Sequence, residues 1–201
     1  MISSLTAENL ACARGDRTLF GGLSFHVSAG QALAVEGANG AGKTSLLRLI
    51  AGFLAPRAGR LLLKSGAGES EDAEERGRAV GWLGHQDGLK PQLTVIEQLA
   101  FFARLYRGDG DASAVLNEVG LTRQKDFPCR FLSAGQRRRL ALARLVLAMR
   151  PLWLLDEPFA ALDSDGQALM TRLMGRHCAG GGILISATHE LLGLDNQSIR
   201  L

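Results

Sequence analysis

The segment Gly37-Ala38-Asn39-Gly40-Ala41-Gly42-Lys43-Thr44 constrains this chain more than any other. It satisfies G-x-x-x-x-G-K-[ST], and each fixed position has a mechanical reason. Glycines let backbone amides turn toward a bound phosphate with no Cβ in the way, and the helix that follows presents its positive N-terminal end to the same anion. A lysine after the last glycine reaches the β- and γ-phosphates of a nucleotide, and the next hydroxyl takes a place on a divalent cation. The flanks agree: Ala32 to Val35 is a short apolar run of strand type, and Thr44 to Ile50 spaces Leu46, Leu47 and Ile50 as a helix does. Such a match arises by chance in roughly one chain in a hundred of this length, before strand and helix context is demanded, which disfavours an ordinary glycine-rich turn.

At 201 residues the chain suits one domain, or one with an inserted lobe. Its three cysteines, Cys12, Cys129 and Cys178, are odd in number and widely spaced, so neither a disulfide framework nor a zinc site is indicated and a reducing, cytoplasmic setting is expected. Met1-Ile2-Ser3-Ser4 lacks the basic start of a signal peptide, and no apolar run approaches the ~18 residues of a membrane span, so no integral membrane segment is expected. A net charge of +3 with arginines spread along the chain argues against a direct nucleic-acid partner.

Leu23, Phe25 and Val27 alternate with polar residues between Gly21-Gly22 and Gly30, which predicts a half-buried strand and an antiparallel start to the fold. Leu61 to Leu63 and Val80 to Leu83 read as further strands, and the acidic stretch between them (Glu69, Glu71, Asp72, Glu74, Glu75) as a solvated loop. From Thr94 to about Val119 the pattern is helical, with a break at Gly108-Asp109-Gly110, and a long helix runs from about Gly135 to Met149, before Pro151. Leu152 to Leu155 and Ile183 to Ala187 complete a set of strands alternating with helices, so the class is α/β with a largely parallel sheet. No repeat or low-complexity tract is present.

Leu152-Trp153-Leu154-Leu155-Asp156-Glu157 delivers two carboxylates at the carboxyl end of a strand, where an open α/β sheet places ligands. Asp156 is the candidate to hold a cation through its water shell, and Glu157 the candidate to polarise an attacking water. His189 leaves the strand at Ile183 to Ala187 at the same edge, with an imidazole able to reach a γ-phosphate or the lytic water. Gln86, after the strand ending near Leu83, offers an amide that serves either the cation and water or merely a turn. Leu132-Ser133-Ala134-Gly135-Gln136 opens the long helix as a second anion-binding helix start, or as a plain serine cap.

In order, residues 37–44, Gln86, 132–136, 152–157, Ala161-Leu162-Asp163 and His189 resemble the ATP-binding-cassette (ABC) ATPase family over nearly the whole chain. The resemblance implies a phosphate-loop NTPase fold: one ABC ATPase domain over 1–201, with a RecA-like core (1–86 and 150–201), an N-terminal antiparallel β lobe and a helical signature lobe over about 87–149. It implies ATP and Mg²⁺ as cofactors, with Gly37 to Ser45 on the nucleotide and Thr44, Gln86 and Asp156 at the metal. It implies a homodimer as well, in which Ser133, Gly135 and Gln136 of one subunit close on the γ-phosphate held by the other and Asp163 sits across the interface. The family stacks adenine on an aromatic side chain N-terminal to the phosphate loop; here that position falls at Arg14, in Cys12-Ala13-Arg14-Gly15-Asp16-Arg17, whose guanidinium also stacks on a base.

Narrower stretches, Thr18 to Phe25, Glu36 to Arg48, Gly84 to Lys90 and Gly181-Gly182-Ile183, are similar to the branch of the family that serves cytochrome c biogenesis. That likeness implies ATP hydrolysis coupled to haem export or delivery, by a peripheral protein on the cytoplasmic side of the bacterial inner membrane. Its implied partners are the integral membrane subunit CcmB and associated haem-handling proteins. No direct haem site is evident, since Cys129 beside Pro128 lacks a C-x-x-C-H context. The chain ends twelve residues past His189, leaving no expected regulatory extension. Three alternatives stay open: a soluble ABC ATPase acting on nucleic acid or a ribosome, the ATPase of another small-molecule exporter, and a phosphate-loop kinase or binding module that turns over little ATP.

Overall fold

The apolar runs at residues 32–35, 152–155 and 183–187 are buried on both faces, and the sheet they form organises the chain. The computed structural model describes residues 2–106 and 110–201. Its elements are β1 (Ile2–Arg14), β2 (Arg17–Ser28), β3 (Ala32–Glu36), α1 (Lys43–Ile50), β4 (Ala58–Ser65), β5 (Gly68–Ser70), α2 (Ala73–Arg78), β6 (Val80–Leu83), α3 (Val95–Tyr106), α4 (Ala112–Glu118), α5 (Ala134–Ala148), β7 (Leu152–Asp156), α6 (Ser164–Ala179), β8 (Ile183–Ala187) and β9 (Gln197–Arg200), with 3₁₀ turns at Thr122–Gln124 and Cys129–Phe131. One sheet is parallel, in the order β6-β7-β8-β3-β9. The other is antiparallel, in the order β2-β1-β4-β5.

Within the apolar runs, neighbouring residues serve different cores. Leu33 and Val35 of β3, Leu152 and Leu154 of β7, and Ile183 and Ile185 of β8 face a core shared with α1 and the antiparallel sheet. Ala32, Ala34, Trp153, Leu155 and Leu184 face a second core built with α3 to α6. A strand that alternates between two apolar layers needs hydrophobic residues at every position, which is why these runs lack a polar face. Register then aligns their ends: Ala187 pairs with Val35 on one side and with Asp156 on the other.

Several segments depart from the sequence reading. The acidic stretch is not a loop: Gly68–Ser70 pairs with β4, and Asp72 caps α2 by accepting from the Glu74 amide at 2.9 Å. Glu74 and Glu75 occupy the first turn of α2, where carboxylates favour the positive helix end, and the buried Arg76 anchors the helix by donating to Ile50 O at 2.9 Å. Gly108 and Asp109 of the expected break lie outside the described residues; Gly110 is in irregular structure before α4. β1, α6 and β9 add elements that the sequence reading did not include.

At the far end of β7 from the loop, the indole of Trp153 stacks on the imidazole of His177, centroids 4.1 Å apart at 10°. His177 Nε2 donates to Ile183 O at 3.1 Å, and the ring lies so close to Gly182 that an added Cβ there would stand 2.3 Å from it. Burial pushes the His177 imidazole below its ordinary value, against the opposing pull of the carbonyls of Ile183 and Pro151. The unfolded chain therefore binds more protons than the folded one below the ordinary imidazole value of about 6.5. Stability present above that pH is lost as pH falls toward the depressed folded value, with a slope of at most about 1.4 kcal/mol per pH unit. Denaturation midpoints measured from pH 7.5 downward will show this loss, and His177→Phe, which stacks but cannot titrate, will flatten it.

Candidate active site

β3 ends at Glu36 and the chain turns through Gly37 to Gly42 into α1. Gly42 caps that helix with φ 111°, a region closed to most side chains, and an added Cβ would press on Phe20 at 3.1 Å and Leu19 at 3.2 Å. The turn thus lies against the antiparallel sheet, while α1 packs on β7 and β8. Lys43, 8% exposed, donates from Nζ to Gly37 O at 2.7 Å, with Ala38 O at 3.4 Å, and contacts His189 Nε2 at 2.8 Å. An ammonium has only protons to give, so in this contact Nε2 is the acceptor. Asn39 Oδ1 stands 3.2 Å from the same nitrogen.

Thr44 Oγ1 donates to Asp156 Oδ2 at 2.9 Å, joining the first turn of α1 to the end of β7. Asp156 is buried, and Glu157 follows with φ 47°, a left-handed conformation that costs a non-glycine residue about 1–3 kcal/mol. The Glu157 amide donates to Ala187 O at 2.8 Å, and its carboxylate Oε1 lies 3.6 Å from His189 Nε2. Lys43, Thr44, Asp156 and Glu157 edge a cleft of about 430 Å³ that Arg14, Leu19, residues 38–40, Gly42, Ser45, Arg48 and His85 also line, while His189 lines the neighbouring cavity with Gly37 and Ala38. The adjacent hydroxyl of Thr44 and carboxylate of Asp156 are hard oxygen donors, a pair that suits a hard cation keeping most of its water. Among the described residues no cluster of three His, Cys, Asp or Glu side chains forms an all-protein metal cage.

Other sequence candidates lie outside this cleft. Gln86 is exposed and does not line it; its neighbour His85 does. Ser133 caps α5, accepting from the Gln136 amide at 3.2 Å, while Gln136 Oε1 accepts from the Ser133 amide at 2.9 Å. Gly135 lies against the 157–163 turn, where an added Cβ would stand 3.1 Å from Ala161 O. Asp163 caps α6 through the Gly166 amide and pairs with Arg139 at 2.9 Å, and these two contacts, the amide first, hold its carboxyl below the usual range. Arg48 and His85 lie in stretches that carry the family likeness, Glu36 to Arg48 and Gly84 to Lys90, but the sequence reading gave neither a role in the site.

A parallel sheet carrying a phosphate loop, a lysine and a threonine facing a strand-end aspartate defines a phosphate-loop ATPase. The ABC transporter family pattern matches residues 20–160, and the chain belongs to that family. It is similar to the cytochrome c biogenesis ATP-binding export protein CcmA of Rhodopseudomonas palustris, at 49% identity in strain BisB5 over 98% of this chain and 97% of the relative. The CcmA of Mesorhizobium japonicum is 46% identical over the same shares. Within the ABC family the chain falls in the same group as these proteins. An ABC transporter ATP-binding protein from Pyrococcus furiosus shares the fold, with a TM-score of 0.85 at 23% identity over 99% of this chain and 98% of that one. So does a bacterial Atm1-family ABC exporter solved with ATP bound, with a TM-score of 0.83 at 25% identity, covering 100% of this chain and 37% of the exporter.

Lys43 is the one buried ammonium at the phosphate loop. Lys43→Ala removes this ammonium from the loop, and titration calorimetry is expected to show ATP affinity falling by about 10- to 100-fold.

Proposed function

We propose that this chain is the ATP-hydrolysing subunit of a membrane complex for cytochrome c biogenesis, its cycle driving haem export or delivery. The observation that carries the ATPase reading is the convergence of Lys43, Thr44, Asp156, Glu157 and His189 on one phosphate loop through the contacts at 2.8, 2.9 and 3.6 Å. The likeness to the CcmA proteins supports the biological assignment.

In this reading Lys43 exchanges its bonds to the Gly37 and Ala38 carbonyls for the β- and γ-phosphates. Thr44 and Asp156 would hold Mg²⁺, which neutralises phosphate charge when bound. Glu157 accepts a proton from the attacking water, and His189, freed from Lys43, holds the γ-phosphate or that water. Arg14 and Leu19 cover the base. Ser133, Gly135 and Gln136 stand outside the cleft of their own chain, which supports their use on the nucleotide of a second copy, with Asp163 beside that interface and Gln86 following the γ-phosphate from its exposed loop.

No helix among the described residues is long and apolar enough to cross a membrane. A separate integral subunit, CcmB in this reading, docks where Leu89 and Phe101 lie. Phe102 is core at 7% exposure, whereas Phe101 is 38% exposed with Lys90 Nζ 4.2 Å above its ring. The chain then works as a peripheral protein on the cytoplasmic side of the bacterial inner membrane.

Glu157→Gln keeps the binding groups and removes the base, so turnover falls by about 10²–10⁴-fold while an ATP-bound dimer accumulates on size exclusion. Wild-type turnover in that variant would refute the reading. Ser133→Arg abolishes hydrolysis yet spares ATP binding by the monomer, and full activity there would contradict a site shared between two copies. Affinity capture from membranes should recover a small polytopic partner.

A further inference from the structure

Arg138 lies on the first turns of α5, between two other arginines, and is 3% exposed. Its guanidinium reaches five acceptors. Nη2 donates to Glu157 O at 2.6 Å and Asp156 O at 3.0 Å, Nε donates to Pro158 O at 3.3 Å, and Nη1 donates to Gly84 O at 2.8 Å and Asp87 Oδ1 at 3.3 Å. Burial of a guanidinium is costly unless its donors are spent, and here they are spent on two particular segments. One is the turn carrying both strand-end carboxylates. The other brackets His85 and Gln86.

We propose that Arg138 is a positioning residue for hydrolysis, fixing the backbone that aims Glu157 and, through Gly84 and Asp87, the His85–Gln86 segment beside it. The proposal rests on the reading of Glu157 as the base. Glu157 has φ 47°, so its peptide holds this orientation only while tethered. One tether is its amide on Ala187 O at 2.8 Å; the stronger is the charged bond that its carbonyl accepts from Arg138. Arg138 does not line the cleft, whereas Asp156 and Glu157, whose carbonyls it holds, do, so it acts through them and not on the nucleotide. Arg144, lower on α5, donates to Asp87 O at 3.1 Å and Trp82 O at 3.0 Å, so it fixes the 82–87 segment alone and leaves the carboxylate turn to Arg138. Asp87, the counter-ion, sets which way the fork faces.

The test compares Arg138→Gln, Arg138→Lys, Asp87→Asn and Glu157→Gln in the full chain, reading ATP affinity, kcat, KM and thermal midpoint. A misaimed base lowers kcat by about 100-fold in Arg138→Gln while ATP affinity stays within about twofold. Arg138→Lys keeps the charge but not the planar fork and recovers part of that loss. Asp87→Asn lowers kcat by about tenfold with the midpoint retained, because its side chain is 22% exposed. Arg138→Gln costs less when added to Glu157→Gln than it does alone, since the part of its effect that acts through the Glu157 carboxylate is already lost. A folded Arg138→Gln with wild-type kcat overturns the proposal, and so does a loss of affinity and kcat that tracks the midpoint. If Arg138→Gln fails to fold, unchanged kcat in Asp87→Asn overturns it. Wild-type turnover in Glu157→Gln would instead sink the assignment of the base, whatever Arg138 does.

Discussion

In the parallel sheet Ala187 pairs with Val35 and with Asp156, so three strands stop level with one another. The phosphate loop leaves the first, the two carboxylates leave the second, and Thr188 and His189 leave the third. Groups separated by up to 150 positions in sequence thereby meet within hydrogen-bond distance, as Asn39 and His189 do. Strand pairing brings these ends together, so the loop and the strand-end side chains do not have to find one another unaided.

The charges around the cleft are held by backbone more than by one another. Lys43 gives protons to loop carbonyls, and Arg138 to the carbonyls of Asp156 and Glu157, while Glu157 itself reaches His189 only at 3.6 Å. Such a site keeps its carboxylates unneutralised by direct ion pairing. In the proposed reading, an arriving polyphosphate would meet donors already aimed, and the lysine would change partners without a large desolvation cost, since carbonyls and phosphate oxygens are both acceptors.

Much of this was legible in the residues. Apolar runs mark β3, β7 and β8, and the loop pattern marks one wall of the cleft. What escaped notice has physical causes. β1 carries register shifts between Ala7 and Ala13 and a left-handed Asn9, so its alternation is broken. β9 is mostly exposed and exists only by pairing with β3. α6 does carry a signal, since Leu169, Met170, Leu173 and Met174 repeat at helical spacing behind the Asp163 cap. The acidic stretch looked like a solvated loop because its charges were weighed without their position at a helix start. Arg138 sits in a run of three arginines, and only its phase with Ala141, Leu142 and Leu145 distinguishes it as the inward one.

The alternation of β7 between two cores also decides which carboxylate goes where. Leu152 and Leu154 face the layer containing α1, so the next residue of the same parity, Asp156, comes out beneath Thr44. Shortening β7 by one residue would act like a frameshift in space: every side chain would trade layers, Trp153 would be driven toward α1, and Asp156 would no longer be the acid presented to the threonine. Strand parity, a property of no single residue, is what tells two adjacent acids apart.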